Sequence, residues 1–243
     1  MMNFPQLATI LFILTSFATV FLLPGTWIND SDPKIRKRSL SILLAVLIWL
    51  VVQALVTING FYYYTIQTSL PPKIMVFGVA PMLVLILLLF ITPGGRHFID
   101  SLSLRRLTWL HTIRVPVEIV LYLLFLQKGV PELMTFQGRN FDIVAGLTAP
   151  VLAYFGFVRD RPRRNLLLTW NFISLALLLN IVINALLSAP GPLQKFAFNQ
   201  PNIAVLLFPY SWLPTFVVPV MLFSHLAAIR QLTRPGKHAV PLP

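Results

Sequence analysis

The chain has no cysteine among its 243 residues, which excludes disulfides, thiolate metal centres and cysteine nucleophiles. It is almost as poor in charge. Only 11% of its residues are Asp, Glu, Lys or Arg, and 57% are hydrophobic; a soluble domain carries about 25% charged residues. Acids number 7 against 19 Lys and Arg. Such a surplus of cations invites a nucleic-acid partner, but the placement of the charges argues against one. They stand in short clusters between apolar runs, as topology-setting charges do. There is no phosphate-binding glycine loop, no Gly-x-Ser-x-Gly elbow and no zinc-protease helix. The longest gaps between apolar runs are Asp30 to Ser39, Pro93 to Arg106, Lys128 to Asn140 and Ala189 to Asn202, all too short to build a soluble core.

What the chain does have is lipid-length hydrophobic runs. A helix crossing the hydrocarbon needs about 20 mostly apolar residues. Seven stretches meet or approach this: Gln6 to Leu23, Leu40 to Asn59, Ile74 to Ile91, Leu107 to Gln127, Phe141 to Val158, Leu166 to Ser188 and Pro209 to Arg230. The pattern predicts an all-α integral membrane protein, a single bundle of seven transmembrane helices with the bilayer as its main partner. The first stretch lacks a basic lead and a small-residue cleavage site, so it reads as a retained span. The last is interrupted by Pro209, Pro214 and Pro219, which predicts a turn at Ile203 to Tyr210 feeding a kinked span.

Orientation follows from the cations. Lys34, Arg36, Lys37, Arg38, Arg96, Arg105, Arg106, Arg159, Arg161, Arg163, Arg164, Arg230, Arg234 and Lys237 fall on one side. Lys73, Lys128, Arg139 and Lys195 fall on the other. The positive-inside rule then predicts an outside N-terminus and a cytoplasmic C-terminus in a plasma (inner) membrane. Aromatic residues at the proposed outer boundary, Phe61 to Tyr64 with Tyr210 and Trp212, fit that assignment.

One span carries titratable groups where lipid tolerates few. His111, Arg114, Glu118 and Tyr122 step by three, four and four, so they form one stripe on the fourth span. With Arg105 and Arg106 at the headgroups, His111 lies roughly 7–8 Å inside and Glu118 roughly 18–20 Å inside. Pro116 leaves the carbonyl of Thr112 without its helical partner. Two readings follow. Arg114 and Glu118 form a self-neutralising i,i+4 ion pair, or Glu118 handles a proton or a ligand with Arg114 as its fixed cation.

His225 on the seventh span lies five residues before Arg230, at about the depth of His111. The pair admits an interfacial structural role, haem ligation or a proton relay. No His-x-x-x-His or carboxylate-rich pattern points to a metal. Gln53, Asn180 and Asn184 either bridge helices or line an outward-opening polar cavity with Glu118 and Tyr122. In the loop after the fourth span, Asn140 or Asp142 is placed to cap the fifth, and Glu132 and Arg139 either pair or guard the mouth of a cavity.

Seven spans with the N-terminus outside is also the topology of opsins, but the seventh span has no lysine for a retinal Schiff base. There is no convincing internal repeat between the first three and last three spans. Three classes remain: a protein that binds or transports a small solute or proton through the polar site on the fourth span, an intramembrane enzyme or haem carrier using His111 and His225, and an inert structural or sensory bundle.

Overall fold

A computed structural model of the chain describes residues 6–25, 33–158 and 161–234. Arg159, Asp160 and Lys237 lie outside the described residues, as do the side chains of Lys34, Arg36, Lys37, Arg38 and Arg161. The fold is helical throughout, apart from a minimal antiparallel pairing of Phe157–Val158 with Arg161–Pro162. In chain order the helices are α1 (Gln6–Gly25), α2 (Pro33–Ile58), α3 (Phe61–Thr65), α4 (Ile74–Ile91), α5 (Pro93–Ser101), α6 (Leu104–Leu126), α7 (Asp142–Phe155), α8 (Arg164–Ser188) and α9 (Leu213–Thr233). Six of these, α1, α2, α4, α6, α8 and α9, are long and apolar enough to cross a membrane. The fifth stretch forms a helix of only 14 residues, because Phe157 and Val158 leave it for the β pairing.

Burial sorts the bundle into centre and periphery. In α9, 67% of the apolar window is inside the structure, against 17% in α2 and in α4. The outward faces of α2 and α4 are rows of apolar side chains, including Leu44, Ile48, Leu55, Leu83, Leu87 and Ile91. Water does not solvate so continuous an apolar surface in a monomeric soluble protein.

The loops meet at two ends. At one, Gln231 donates to the carbonyls of Ile99 and Leu102, Arg164 donates to the carbonyl of Thr233, and Arg230 and Arg234 both pair with Asp100. This basic end also holds α5, within a stretch expected to be a gap. Its start was legible: Thr92 Oγ1 accepts from Gly95 N and Pro93 opens the first turn. At the other end, Ile203 and Ala204 donate to the carbonyl of Gly129, Asn202 N to Ser188 O, and Asn180 Nδ2 to Arg139 O.

Three local features position the centre. α6 tightens to a 3₁₀ turn at His111–Ile113 before resuming at Arg114, and Pro116, which has no N–H to donate, follows directly in the next turn. α7 turns Ala145, Gly146, Ala149 and Ala153 inward, a small-residue face that lets backbones approach. A Cβ on Gly146 would lie 2.9 Å from Val115 Cγ2 and 3.1 Å from Arg114 Cβ. Finally, α9 opens with a π-helical turn at Leu213–Val217 beside Pro214, where the kink was expected.

Candidate functional site

Arg114 is the hub of a buried knot that joins four helices. Its Nη1 donates to Asp142 Oδ1 at 2.9 Å and to the carbonyl of Ser174 at 3.3 Å. Its Nη2 donates to Nε2 of His225 at 2.8 Å. Asp142 stands in the first turn of α7, where the helix dipole also favours a carboxylate. Arg114 is 2% exposed, so these contacts replace the hydration of its guanidinium.

The tautomer of His225 follows from its neighbours. Asn171 Nδ2 donates to the carbonyl of Leu167, which turns its Oδ1 toward His225 Nδ1 at 2.8 Å. Nδ1 therefore carries the proton and Nε2 is the acceptor for Arg114. His225 is a neutral link between α8 and the arginine.

This arrangement corrects the expected i,i+4 pair. Among the described residues Arg114 pairs with Asp142, and Glu118 is engaged by Asn140. A facing helix supplies the acceptor, which spacing along α6 could not show. Asn140 Nδ2 lies 2.6 Å from Glu118 Oε1, 2.7 Å from Oε2 and 3.0 Å from the carbonyl of Met134. One amide with two hydrogens thus serves three acceptors, while a carboxylate offers about four lone-pair sites by itself. Glu118 is buried, under-donated and, among the described residues, without a cation of its own. Asn140 also accepts from Asp142 N at 3.0 Å, so it performs the expected capping from one residue further back.

The shortness of α7 explains why the loop reaches Glu118. Fourteen residues rise only about 21 Å, so the chain before α7 must enter the bundle unhelical. Asn140 is fully buried there, and non-helical backbone at such depth is tolerated only inside protein.

His111 stacks on His225 with ring centroids 3.9 Å apart and planes 19° from parallel, and it meets Trp170 edge-on at 5.4 Å. Neither of its ring nitrogens has a partner among the described residues. Haem ligation does not fit this geometry. Axial imidazoles point nitrogens at each other across an iron, whereas these rings lie face to face and both nitrogens of His225 are engaged. Among the described residues no group of His, Asp and Glu is placed to hold a metal ion.

The remaining expected residues lie elsewhere. Tyr122 packs on Phe125 and Phe136 and does not line the cavity beside Glu118. Asn184 donates to Asn180 on the same helix, and Asn180 donates to Arg139 O, tying α8 to the loop before α7. Gln53 accepts from Tyr62 Oη at 2.7 Å and donates to Phe77 O, tying α2 to α3 and α4. Arg139 sits over the ring of Phe196 and forms no ion pair with Glu132 among the described residues.

A cavity of about 150 Å³ does open beside Glu118, but it is not the polar chamber expected. Val117, Leu121, Leu178, Ile181 and Leu213 make apolar walls, and Glu118, Asp142 and Asn202 are its polar lining. Asn171, Asp142 and Asn202 were not singled out as site residues. An amide within an apolar span, on the same helix as Asn180 and Asn184, was the available signal for Asn171; nothing local marked Asn202.

No curated protein and no solved structure matches the chain. A family of proteins does, over residues 71–233, a stretch that contains the whole Arg114 knot and all but one of the residues lining the cavity. That match covers more than half of the sequence, and the chain belongs to this family, described as a domain of unknown function (DUF8737).

Proposed function

We propose that this protein is a seven-span plasma-membrane protein that binds or transports a small solute or proton at Glu118. The N-terminus is outside and the C-terminus cytoplasmic. Two observations support the membrane setting: the lipid-like faces of α2 and α4, and the gathering of Arg96, Arg105, Arg106, Arg164, Arg230 and Arg234 toward one end. The seventh crossing is α7, completed by the buried loop that precedes it.

The observation that carries the site is the division of labour between the two carboxyls. Asp142 takes the only buried cation of the knot, whereas Glu118 faces the cavity with one shared amide donor. An uncompensated buried charge costs several kcal/mol, so Glu118 recruits a proton or a cationic group. Asp142 and Arg114 are the charged groups that act on it. Arg114 holds the helices; Glu118 does the binding.

The test is infrared difference spectroscopy of the protein in lipid as pH is varied. Wild type should show a carboxyl C=O band that Glu118→Gln removes. Persistence of every such band in Glu118→Gln would reject Glu118 as the binding group.

A further inference from the structure

The cavity beside Glu118 specifies more than a binding place, because its polar side chains are two carboxylates and an amide. Glu118 and Asp142 contribute carboxylate oxygens. Asn202 is fully buried, and its Nδ2 donates one of its two hydrogens to the carbonyl of Ala185 at 3.2 Å. Its Oδ1 has no hydrogen-bond partner among the described residues, although the residue lines the cavity. A buried carbonyl oxygen without a donor is costly to maintain and rare in native proteins. Among the described residues no Lys, Arg or His lines the cavity, and the donors closest to Glu118 and Asp142 are already committed. The polar side chains that line the space therefore offer more acceptors than donors, and no cation.

The rest of the lining is aliphatic, with Val117, Leu121, Leu178 and Ile181 packed around it. Apolar cavities near 150 Å³ take a benzene-sized body. A bare hard cation is a poor occupant, since such ions need six or more oxygen ligands, and this wall supplies few. An anion would face two carboxylates.

We propose that the cavity binds a small amphiphile whose head is a protonated amine and whose body is apolar and about the size of a benzene ring. The ammonium sits at Glu118, which lacks a cation of its own; Asp142 remains with Arg114. Asn202 Oδ1 accepts a further N–H from the ligand or from a water beside it. This inference rests on the reading of Glu118 as the binding group.

The test uses the full chain in phosphatidylcholine nanodiscs, whose headgroups carry no N–H donor. Phenethylamine, phenethyl alcohol and hydrocinnamate share a body and differ in the head. Calorimetric titration should show saturable binding of phenethylamine, at least tenfold weaker binding of the alcohol and none of the acid. Glu118→Gln should weaken the amine at least tenfold and leave the alcohol within about twofold. Asn202→Leu should weaken the amine while the Glu118 infrared band persists. Ile181→Trp, which fills the cavity, should abolish binding of both amine and alcohol. Equal affinity for amine and alcohol, or no binding of the amine to folded wild type, would overturn the ligand class. If the Glu118 band titrates in that same sample, the reading of Glu118 as the binding group survives. Absence of the band would remove both.

Discussion

Arg114 Nη2 and His225 Nε2 are 2.8 Å apart, and this contact joins the middle of α6 to the last helix of the bundle. Because Asn171 fixes the proton on Nδ1, the imidazole acts as a pure acceptor toward the guanidinium. A side chain with a carbonyl at the same reach can imitate it; a hydrocarbon ring cannot. His225→Phe should lower stability by about 1–3 kcal/mol, the cost of leaving buried donors unpaired. His225→Gln should recover part of that loss. Thermal unfolding in detergent, followed by circular dichroism, checks the order wild type, Gln, Phe.

The Arg114–Asp142 pair is held in a site from which water is excluded. Removing one partner strands the other. Arg114→Met and Asp142→Asn should each destabilise by about 3–5 kcal/mol, and the double variant by much less than their sum. A double-mutant cycle on unfolding midpoints measures this. Additive losses would show that the two side chains do not depend on each other.

Gly146 sits where α7 crosses Arg114 and Val115, and a Cβ there would be 3.0 Å from the backbone nitrogen of Val115. Backbone cannot move aside as a flexible side chain does. Gly146→Ala should therefore cost about 1–3 kcal/mol through overpacking, and Gly146→Val more. Asp142 stands one turn earlier on the same face, so these variants should also weaken the coupling measured in the cycle above.

The apolar runs showed most of the helices because a lipid-length helix is written in composition alone. The α7 boundary was less legible: Phe157 and Val158 are as apolar as the helix they leave, and hydropathy cannot separate helix from extended chain. His111, Arg114 and Glu118 were visible as a stripe because helical spacing is local. Their partners were not. Asp142, Asn171 and Asn202 reach the site from facing elements, and no local spacing encodes which face of one helix meets another. Tyr122 shows the converse failure. It lies on the stripe by spacing, yet it packs among neighbouring aromatic rings and not in the lining of the cavity beside Glu118.

The central claim is that Glu118, and not the carboxyl paired with Arg114, receives the proton or the cationic group. The most direct measurement is the pH-dependent infrared difference spectrum of the lipid-embedded protein, recorded for wild type and Glu118→Gln. Both proteins must first show the same size-exclusion profile and unfolding midpoint. The account predicts a carboxyl C=O band in wild type that titrates with pH and vanishes in Glu118→Gln. An unchanged titrating band in the folded Glu118→Gln protein would contradict it.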